Sequence, residues 1–207
     1  MKTVEFHYGL VSPYSYLACG EISRICREHG AELAPRPMLL GAVHDAVGLQ
    51  TPIETEPKAC YQARDIRRWA GLYGLPMAFP NPFPFRTLKT MRAAMFLKNT
   101  GKLEAFTREA FALYWEEGGV PKDLDETDED GPVSEAARRV GADPGEVLAV
   151  ASDPEAKEAH KAATDEAVGR LRGAGVLRGR RNVLGQRPDA LRRKGVAGRL
   201  RERDAGP

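Results

Sequence analysis

The hydrophobic pattern changes from strand-like alternation at the start of the chain to helical spacing over most of its remaining length. Residues 3–8 alternate and are rich in β-forming side chains, which predicts a strand. Residues 13–29 carry apolar side chains at helical spacing, and residues 31–40 predict a second strand that Pro35 and Pro37 interrupt. The opening therefore predicts a β–turn–α–β unit with two parallel strands and a right-handed crossover.

The predicted first helix has strong signals at both ends. Ser12 fits the N-cap, Pro13 fits the first helical position, and Gly30 fits the stop. Free N–H groups and the helix dipole at such a start favour a bound anion, and the Ser12 hydroxyl adds a directed donor. The pattern predicts a site for a thiolate or another small anion; the alternative is that Ser12 only caps the helix.

The middle of the chain predicts an almost entirely helical region. A proline-rich loop at residues 79–85 interrupts it, and the acidic residues 123–130 are expected to be exposed. Tyr61, Ile66 and Trp69 fall near one face of the first of these helices. The predicted helices are residues 57–73, 87–98, 103–115, 132–140, 144–151 and 154–169.

The last 38 residues differ in composition from the rest of the chain. Residues 170–207 hold 12 basic and 3 acidic side chains, whereas residues 1–169 hold 19 basic and 26 acidic ones. This tail contains 11 Arg and 7 Gly, no aromatic residue and no alternating apolar strand. Two parallel strands cannot bury themselves without further strands, so the predicted fold is incomplete at its C-terminal end.

Composition excludes several classes of protein. No apolar run is long enough for a membrane helix, and the first residues lack the apolar core of a signal peptide, so we expect a cytoplasmic protein. The three cysteines, Cys19, Cys26 and Cys60, contain no C-x-x-C pair, which argues against a zinc site or a disulfide scaffold and favours buried free thiols. No metal site is predicted, and the G-x-S-x-G motif of serine hydrolases is absent.

Two blocks of sequence carry a resemblance to a known family. Residues 4–18, V-E-F-H-Y-G-L-V-S-P-Y-S-Y-L-A, and the set K-x-x-Y-x-x-x-D-x-x-R-W-A at residues 58–70 are the more specific of its motifs. G-L-P at residues 74–76 and F-P-F-R-T-L at residues 83–88, with Arg92, also match. Over residues 3–169 the chain resembles 2-hydroxychromene-2-carboxylate isomerases and kappa-class glutathione transferases, within the DsbA-like thioredoxin superfamily.

The resemblance implies an α/β, thioredoxin-like (DsbA-like) fold with a helical insertion domain. Residues 1–44 would form the βαβ start, residues 45–152 the insertion and residues 153–169 the helix that returns to the thioredoxin-like domain. The family's C-terminal strands would be missing or disordered, because the tail at residues 170–207 does not match. The oxidoreductases of the superfamily carry C-P-x-C where this chain has S-P-Y-S, which implies loss of redox chemistry.

The resemblance also implies a cofactor and a site. Glutathione would be the cofactor, with Ser12 as the catalytic residue that holds its thiol as a thiolate, and with Pro13, Lys58 and Tyr61 beside it. The thiolate would add to a conjugated substrate, allow bond rotation and leave, which makes the chain an isomerase. A kappa-type transferase is the alternative enzyme.

The resemblance also implies which residues contact the substrate and which partners the protein has. His44 and Phe83 would contact a small aromatic substrate, and His44 stands where one branch of the family has lysine. Surface or packing roles for Lys58 and Tyr61 are the alternative reading. The resemblance further implies a homodimer, with no membrane or nucleic-acid partner.

A reading-frame slip accounts for the tail. Residues 171–185 can be back-translated so that the string read one base later encodes F-G-A-P-V-F-F-V-G-D-E-M-F-W-G, and the continuation encodes N-D-R-M-L-F-V-E-K. The family implies a V-P step and an F-W-G-x-D-R segment there, so we hypothesise a single-base slip near residue 170. The alternative is a genuine basic tail that binds nucleic acid or an acidic partner, in which case the chain would be a non-enzymatic binding protein. Resequencing the coding DNA for residues 160–207 separates the two: a clean read without a frame change would refute the slip.

Overall fold

A computed structural model describes residues 2–49, 55–81, 83–118 and 129–172 of the 207-residue chain. Two strands and eight α-helices lie within these ranges, and a 3₁₀ turn at Lys98–Thr100 follows the fourth helix. The elements are β1 (Thr3–Tyr8), α1 (Pro13–Glu28), β2 (Glu32–Pro37), α2 (Leu40–Val47), α3 (Glu56–Tyr73), α4 (Leu88–Leu97), α5 (Leu103–Trp115), α6 (Asp130–Arg139), α7 (Pro144–Ala151) and α8 (Pro154–Arg172).

The predicted βαβ opening is present. Strand β1 pairs in parallel with β2, in a register that sets Thr3 opposite Glu32 and Tyr8 opposite Pro37. The predicted second strand was too long, because the chain turns from Leu40 onward into α2, a helix that was not predicted. Gly48 ends α2 at a φ of 68°, a left-handed conformation that glycine adopts without strain.

The main core joins β1 and α1 to buried side chains from every helix between α3 and α7. Tyr8 of β1 is fully buried, and its hydroxyl shares a 2.7 Å hydrogen bond with the Thr107 hydroxyl of α5. A second, smaller cluster joins Met38 and Val43 to Ala167, so α2 packs against α8. These contacts fix the end of β1 and the start of α1 from both sides of the sheet.

Helix α8 continues beyond its predicted end at residue 169 and reaches Arg172. Arg170 accounts for the extension: it pairs with Glu166 one turn earlier at 2.7 Å and with Glu5 of β1 at 2.6 Å. The first residues of the predicted atypical tail therefore belong to a helix docked on the sheet. Residues 173–207, where missing or disordered strands and a frame slip were predicted, lie outside the described residues.

Three local expectations were wrong. Glu129, placed in an exposed acidic segment, is buried and accepts a hydrogen bond from the backbone N–H of Lys89 in the first turn of α4. Cys60 is a free thiol but is exposed, whereas a buried one was expected. Tyr61 is 67% exposed, although helical spacing grouped it with Ile66 and Trp69 on the buried side of α3.

The predicted division into a βαβ start, a helical insertion and a returning helix stays a prediction. Helix α2 spans the predicted boundary between residues 44 and 45. It continues directly from the β2 segment through Leu39, whose N–H donates to the Thr164 hydroxyl of α8 at 3.1 Å.

His160 makes a pH dependence of folding testable. It is 3% exposed on α8, and burial together with the nearby Arg92 cation lowers its pKa to about 4. An unfolded chain binds a proton near the ordinary pKa of 6.5, so stability is intact above that pH and falls by about 3 kcal/mol as the pH drops towards 4.

His160→Gln should flatten this part of the pH dependence in urea unfolding between pH 7 and pH 4. His29→Gln is the matched control, because His29 is exposed at the end of α1. An equal pH dependence in the wild-type chain and His160→Gln would contradict the assignment.

Candidate active site at the start of helix α1

A tight turn from Gly9 to Ser12 joins β1 to α1. The Ser12 N–H donates to the Gly9 carbonyl at 3.0 Å, which closes the turn. Gly9 suits this close approach, because a Cβ at this position would lie 3.0 Å from the Leu40 Cβ and would force Leu40 to shift. The indole Nε1 of Trp115 donates to the Leu10 carbonyl at 2.8 Å and holds the turn from the core side.

Ser12 is the N-cap of α1, as predicted. Its backbone is extended, its Oγ accepts from the Ser15 N–H at 3.2 Å, and its carbonyl accepts from the Tyr16 N–H at 3.1 Å. A hydroxyl that accepts one hydrogen bond keeps its own proton to donate. The Tyr14 N–H in the same turn has no carbonyl partner within the helix. Ser12 is partly exposed, so these donors form a small positive site at the molecular surface.

Among the described residues, the chain supplies no reactive thiol at this turn. Burial raises the pKa of Cys19, the next cysteine along α1, to about 12, so its thiol stays protonated at neutral pH. Burial also raises the pKa of Cys26. Ser15, at the second cysteine position of the C-P-x-C pattern, is buried. The site can therefore bind an anion that comes from outside the chain.

Helix α3 lies beside α1 and runs in the same direction. The Tyr14 hydroxyl donates to the Asp65 carboxylate at 3.2 Å, and Leu75, two residues past the end of α3, lies beside Gly20 further along α1. Residues before Asp65 on α3 therefore lie towards the start of α1, where Ser12 is. Burial and the Asp65 carboxylate raise the pKa of Tyr14 to about 12, so this hydrogen bond persists across the physiological range.

Lys58 and Tyr61 lie on the same stripe of α3 as Asp65. Helical spacing places residues 58, 61, 65 and 68 along one side of the helix. Lys58 is exposed and has no ion pair among the described residues, and Tyr61 lies close enough to Tyr14 to influence its titration. Arg68 continues the stripe past Asp65, away from Ser12. The predicted pair Lys58 and Tyr61 thus shares the side of α3 that carries Asp65, and no contact between either side chain and Ser12 is found among the described residues.

Phe83 reaches the turn through an aromatic cluster. It is 36% exposed, and its ring lies 6.1 Å from Phe85 and 5.8 Å from Trp115, measured between centroids. Trp115 in turn bonds to Leu10, two residues before Ser12. The sequence pattern gave Trp115 only as the last residue of a predicted helix, because a hydrogen bond between residues 105 positions apart leaves no local signal.

His44 is the least closely connected of the predicted site residues. It is half-buried in the last turn of α2, one turn beyond Leu40, which abuts Gly9. No hydrogen bond joins the His44 side chain to Ser12, Lys58 or Phe83 within the part of the chain that the structure describes. The structure thus links the turn to Phe83 through Trp115 and to the α3 stripe through Tyr14, and it places His44 on a neighbouring helix.

The described residues lack the features of two other kinds of protein site. In residues 2–49, 55–81, 83–118 and 129–172, no group of three or more His, Cys, Asp or Glu side chains is arranged to hold a metal ion. Within the same ranges, no helix combines the length and the apolar character needed to cross a bilayer.

Comparison with known proteins places this geometry in context. The chain is 31% identical over 127 residues to 2-hydroxychromene-2-carboxylate isomerase from Sphingobium xenophagum, an alignment that covers 60% of this chain and 64% of that protein. It is 28% identical over 121 residues to glutathione S-transferase kappa 1 from Rattus norvegicus, covering 55% and 54%. The chain thus spans less than two thirds of the length of these relatives.

A solved structure and a family model extend the match. The solved structure of a 2-hydroxychromene-2-carboxylate isomerase superposes with a TM-score of 0.71 at 24% identity, covering 82% of this chain and 80% of that one, which supports the fold. The family model of the DSBA-like thioredoxin domain matches residues 3–174, close to the span predicted from the motifs. This chain therefore belongs to the DSBA-like thioredoxin domain family.

Proposed function

We propose that this protein is a glutathione-dependent isomerase that acts on a small aromatic substrate of the 2-hydroxychromene-2-carboxylate type. One observation carries the proposal: the Ser12 hydroxyl stands at the N-terminus of α1, in the position where redox members of the superfamily carry a cysteine. The curated relatives named as isomerases and as a kappa-class transferase support it.

The donors at this turn fit a thiolate. Ser12 accepts from the Ser15 N–H and keeps a proton to donate, and the helix dipole adds its partial positive charge. Lowering a thiol pKa from about 8.5 by two units requires about 2.7 kcal/mol of preference for the thiolate. A helix terminus contributes up to about 2 kcal/mol and a hydrogen bond to a charged group about 1.5–3 kcal/mol, so the two together suffice.

Other residues on the described surface fit the remaining chemistry. Lys58 offers an ammonium group for a carboxylate of glutathione or substrate, and the exposed Tyr61 offers a ring and a hydroxyl beside it. Phe83 presents an aromatic face suited to a planar substrate, and His44 would contact it from α2. When bound, glutathione supplies a nucleophilic thiolate whose addition, bond rotation and elimination leave glutathione unchanged overall.

A kappa-type glutathione transferase is the second candidate, supported by the matches to kappa-class relatives from rat and human. It would use the same thiolate at Ser12. Transfer consumes glutathione and leaves a stable conjugate, whereas isomerisation consumes none. A glutathione balance during turnover therefore decides between them: stoichiometric loss of glutathione would overturn the isomerase proposal in favour of the transferase.

The tail at residues 170–207 affects the stability and the turnover that we expect. The sequence after residue 172 lacks the V-P step and the D-R segment that the family resemblance implies for glutathione contacts. We therefore expect the chain as written to be less stable and less active than a chain with the frame restored. Variants at Ser12 and Lys58 are best compared in both chains.

Ser12→Ala should lower glutathione-dependent turnover about 10- to 100-fold, because it removes a hydrogen bond of about 1.5–3 kcal/mol to the thiolate. It should also cost about 1 kcal/mol of unfolding free energy through loss of the cap. Turnover is followed with 2-hydroxychromene-2-carboxylate, and stability by urea unfolding. Ser12→Thr, which keeps the hydroxyl, should recover most of the turnover.

Asp143→Ala is the matched control for the loss of a helix cap. Asp143 caps α7 and accepts from the Glu146 N–H at 2.8 Å, as Ser12 accepts from the Ser15 N–H at α1. It should lose similar stability without a change in turnover. Unchanged turnover in Ser12→Ala, or an equal loss in both variants, would refute the role of Ser12.

Lys58→Gln should weaken glutathione binding about 3- to 10-fold, and the difference from wild type should shrink at high salt. Arg68→Gln is the matched control, because Arg68 lies on the same stripe of α3 but beyond Asp65. The affinity of Arg68→Gln for glutathione, measured by calorimetric titration, should stay within about twofold of wild type. Equal losses in the two variants would show a diffuse charge effect rather than a contact at Lys58.

A further inference from the structure

Trp115 makes a buried contact with the centre of the turn that carries Ser12. The side chain is fully buried at the end of α5, and its Nε1 donates to the Leu10 carbonyl at 2.8 Å. That carbonyl belongs to the Leu10–Val11 peptide, the middle peptide of the turn closed by Ser12 and Gly9. The indole therefore bonds to the peptide unit whose rotation would most directly change the turn.

Because the peptide bond is planar, the hydrogen bond to the Leu10 carbonyl also fixes the N–H on the opposite side of the same peptide. In a trans peptide the N–H and the C=O point in opposite directions. Because the Leu10 carbonyl points at the indole, the Val11 N–H points away from it. Rotating this peptide would leave a buried carbonyl without a partner, which is unfavourable.

The indole is itself held in a fixed orientation. Its ring stacks on Tyr16 with 6.4 Å between centroids and an angle of 17° between planes, and three phenylalanine rings meet it edge-on. The Tyr16 hydroxyl donates in turn to the Pro76 carbonyl at 2.5 Å. The N–H that reaches Leu10 is therefore presented by a rigid group rather than by a mobile side chain.

Resting on the proposed glutathione chemistry, we infer that Trp115 is a positioning residue for the thiolate site. It acts through the Leu10 carbonyl: it fixes the Gly9–Ser12 turn, and with it the direction in which the Ser12 hydroxyl donates. It does not touch the reacting atoms. Its loss should therefore change how well the site stabilises a thiolate more than how well it holds the body of glutathione.

Trp115→Phe tests the inference, because it keeps an aromatic ring in the cluster and removes the N–H donor. The readout is the ultraviolet absorbance of the glutathione thiolate as a function of pH in the complex. The variant should raise the pKa of the bound thiol and lower kcat/KM about five- to tenfold near pH 6.5. Affinity for S-methylglutathione, which has no thiol, should stay within about twofold.

Tyr114→Phe is the matched control: it removes a hydroxyl from the same cluster, where Tyr114 stacks on Phe85 at 4.3 Å, and leaves Leu10 untouched. In Tyr114→Phe the thiol of bound glutathione should have the same pKa as in the wild-type chain. If Trp115→Phe does not fold, 3-benzothienylalanine at position 115 keeps the bicyclic ring and removes only the N–H donor, and the same rise in thiol pKa is expected.

The outcomes separate the two proposals. A bound thiol that titrates identically in the wild-type chain and in the Trp115 variants overturns the positioning role and leaves the proposed function intact. A wild-type chain that binds no glutathione thiolate overturns the proposed function, and with it this inference. If the Trp115 variants lose as much affinity for S-methylglutathione as for glutathione, the whole site is damaged. That result would also overturn the positioning role.

Discussion

The site depends on one short connection, the turn between β1 and α1. Gly9 allows the turn to approach Leu40, the Ser12 N–H closes it onto the Gly9 carbonyl, and the Ser12 hydroxyl caps the next helix. Each of these interactions serves the fold, and together they leave a hydroxyl proton and a helix terminus facing outward. The same geometry that starts the helix therefore provides the donors of the proposed anion site.

Two neighbouring structures hold this turn in place. On the core side, Trp115 bonds to Leu10 from within an aromatic cluster whose outer member, Phe83, is partly exposed. On the other side, Asp65 receives the Tyr14 hydroxyl and aligns α3 with α1. The helical region thus supports the turn at the end of the two-stranded sheet, because its side chains bond directly to the residues around that turn.

Local signals in the sequence predicted much of this arrangement. The cap at Ser12, the proline at Pro13 and the apolar spacing of α5 each follow from neighbouring residues, and the structure agrees with them. Helix α2 was missed because its apolar start continues the pattern of the strand before it. The buried Glu129 and the bond from Trp115 to Leu10 depend on residues far apart in the chain, so spacing alone does not reveal them.

The central claim is that the start of α1 binds glutathione as a thiolate. Calorimetric titration of the protein with glutathione at pH 7, in buffers of different ionisation enthalpy, measures the protons released on binding. A free thiol with a pKa near 8.5 is almost wholly protonated at that pH, so thiolate binding releases close to one proton per glutathione. Glutathione binding that releases no proton, in the wild-type chain as in Ser12→Ala, would contradict the account.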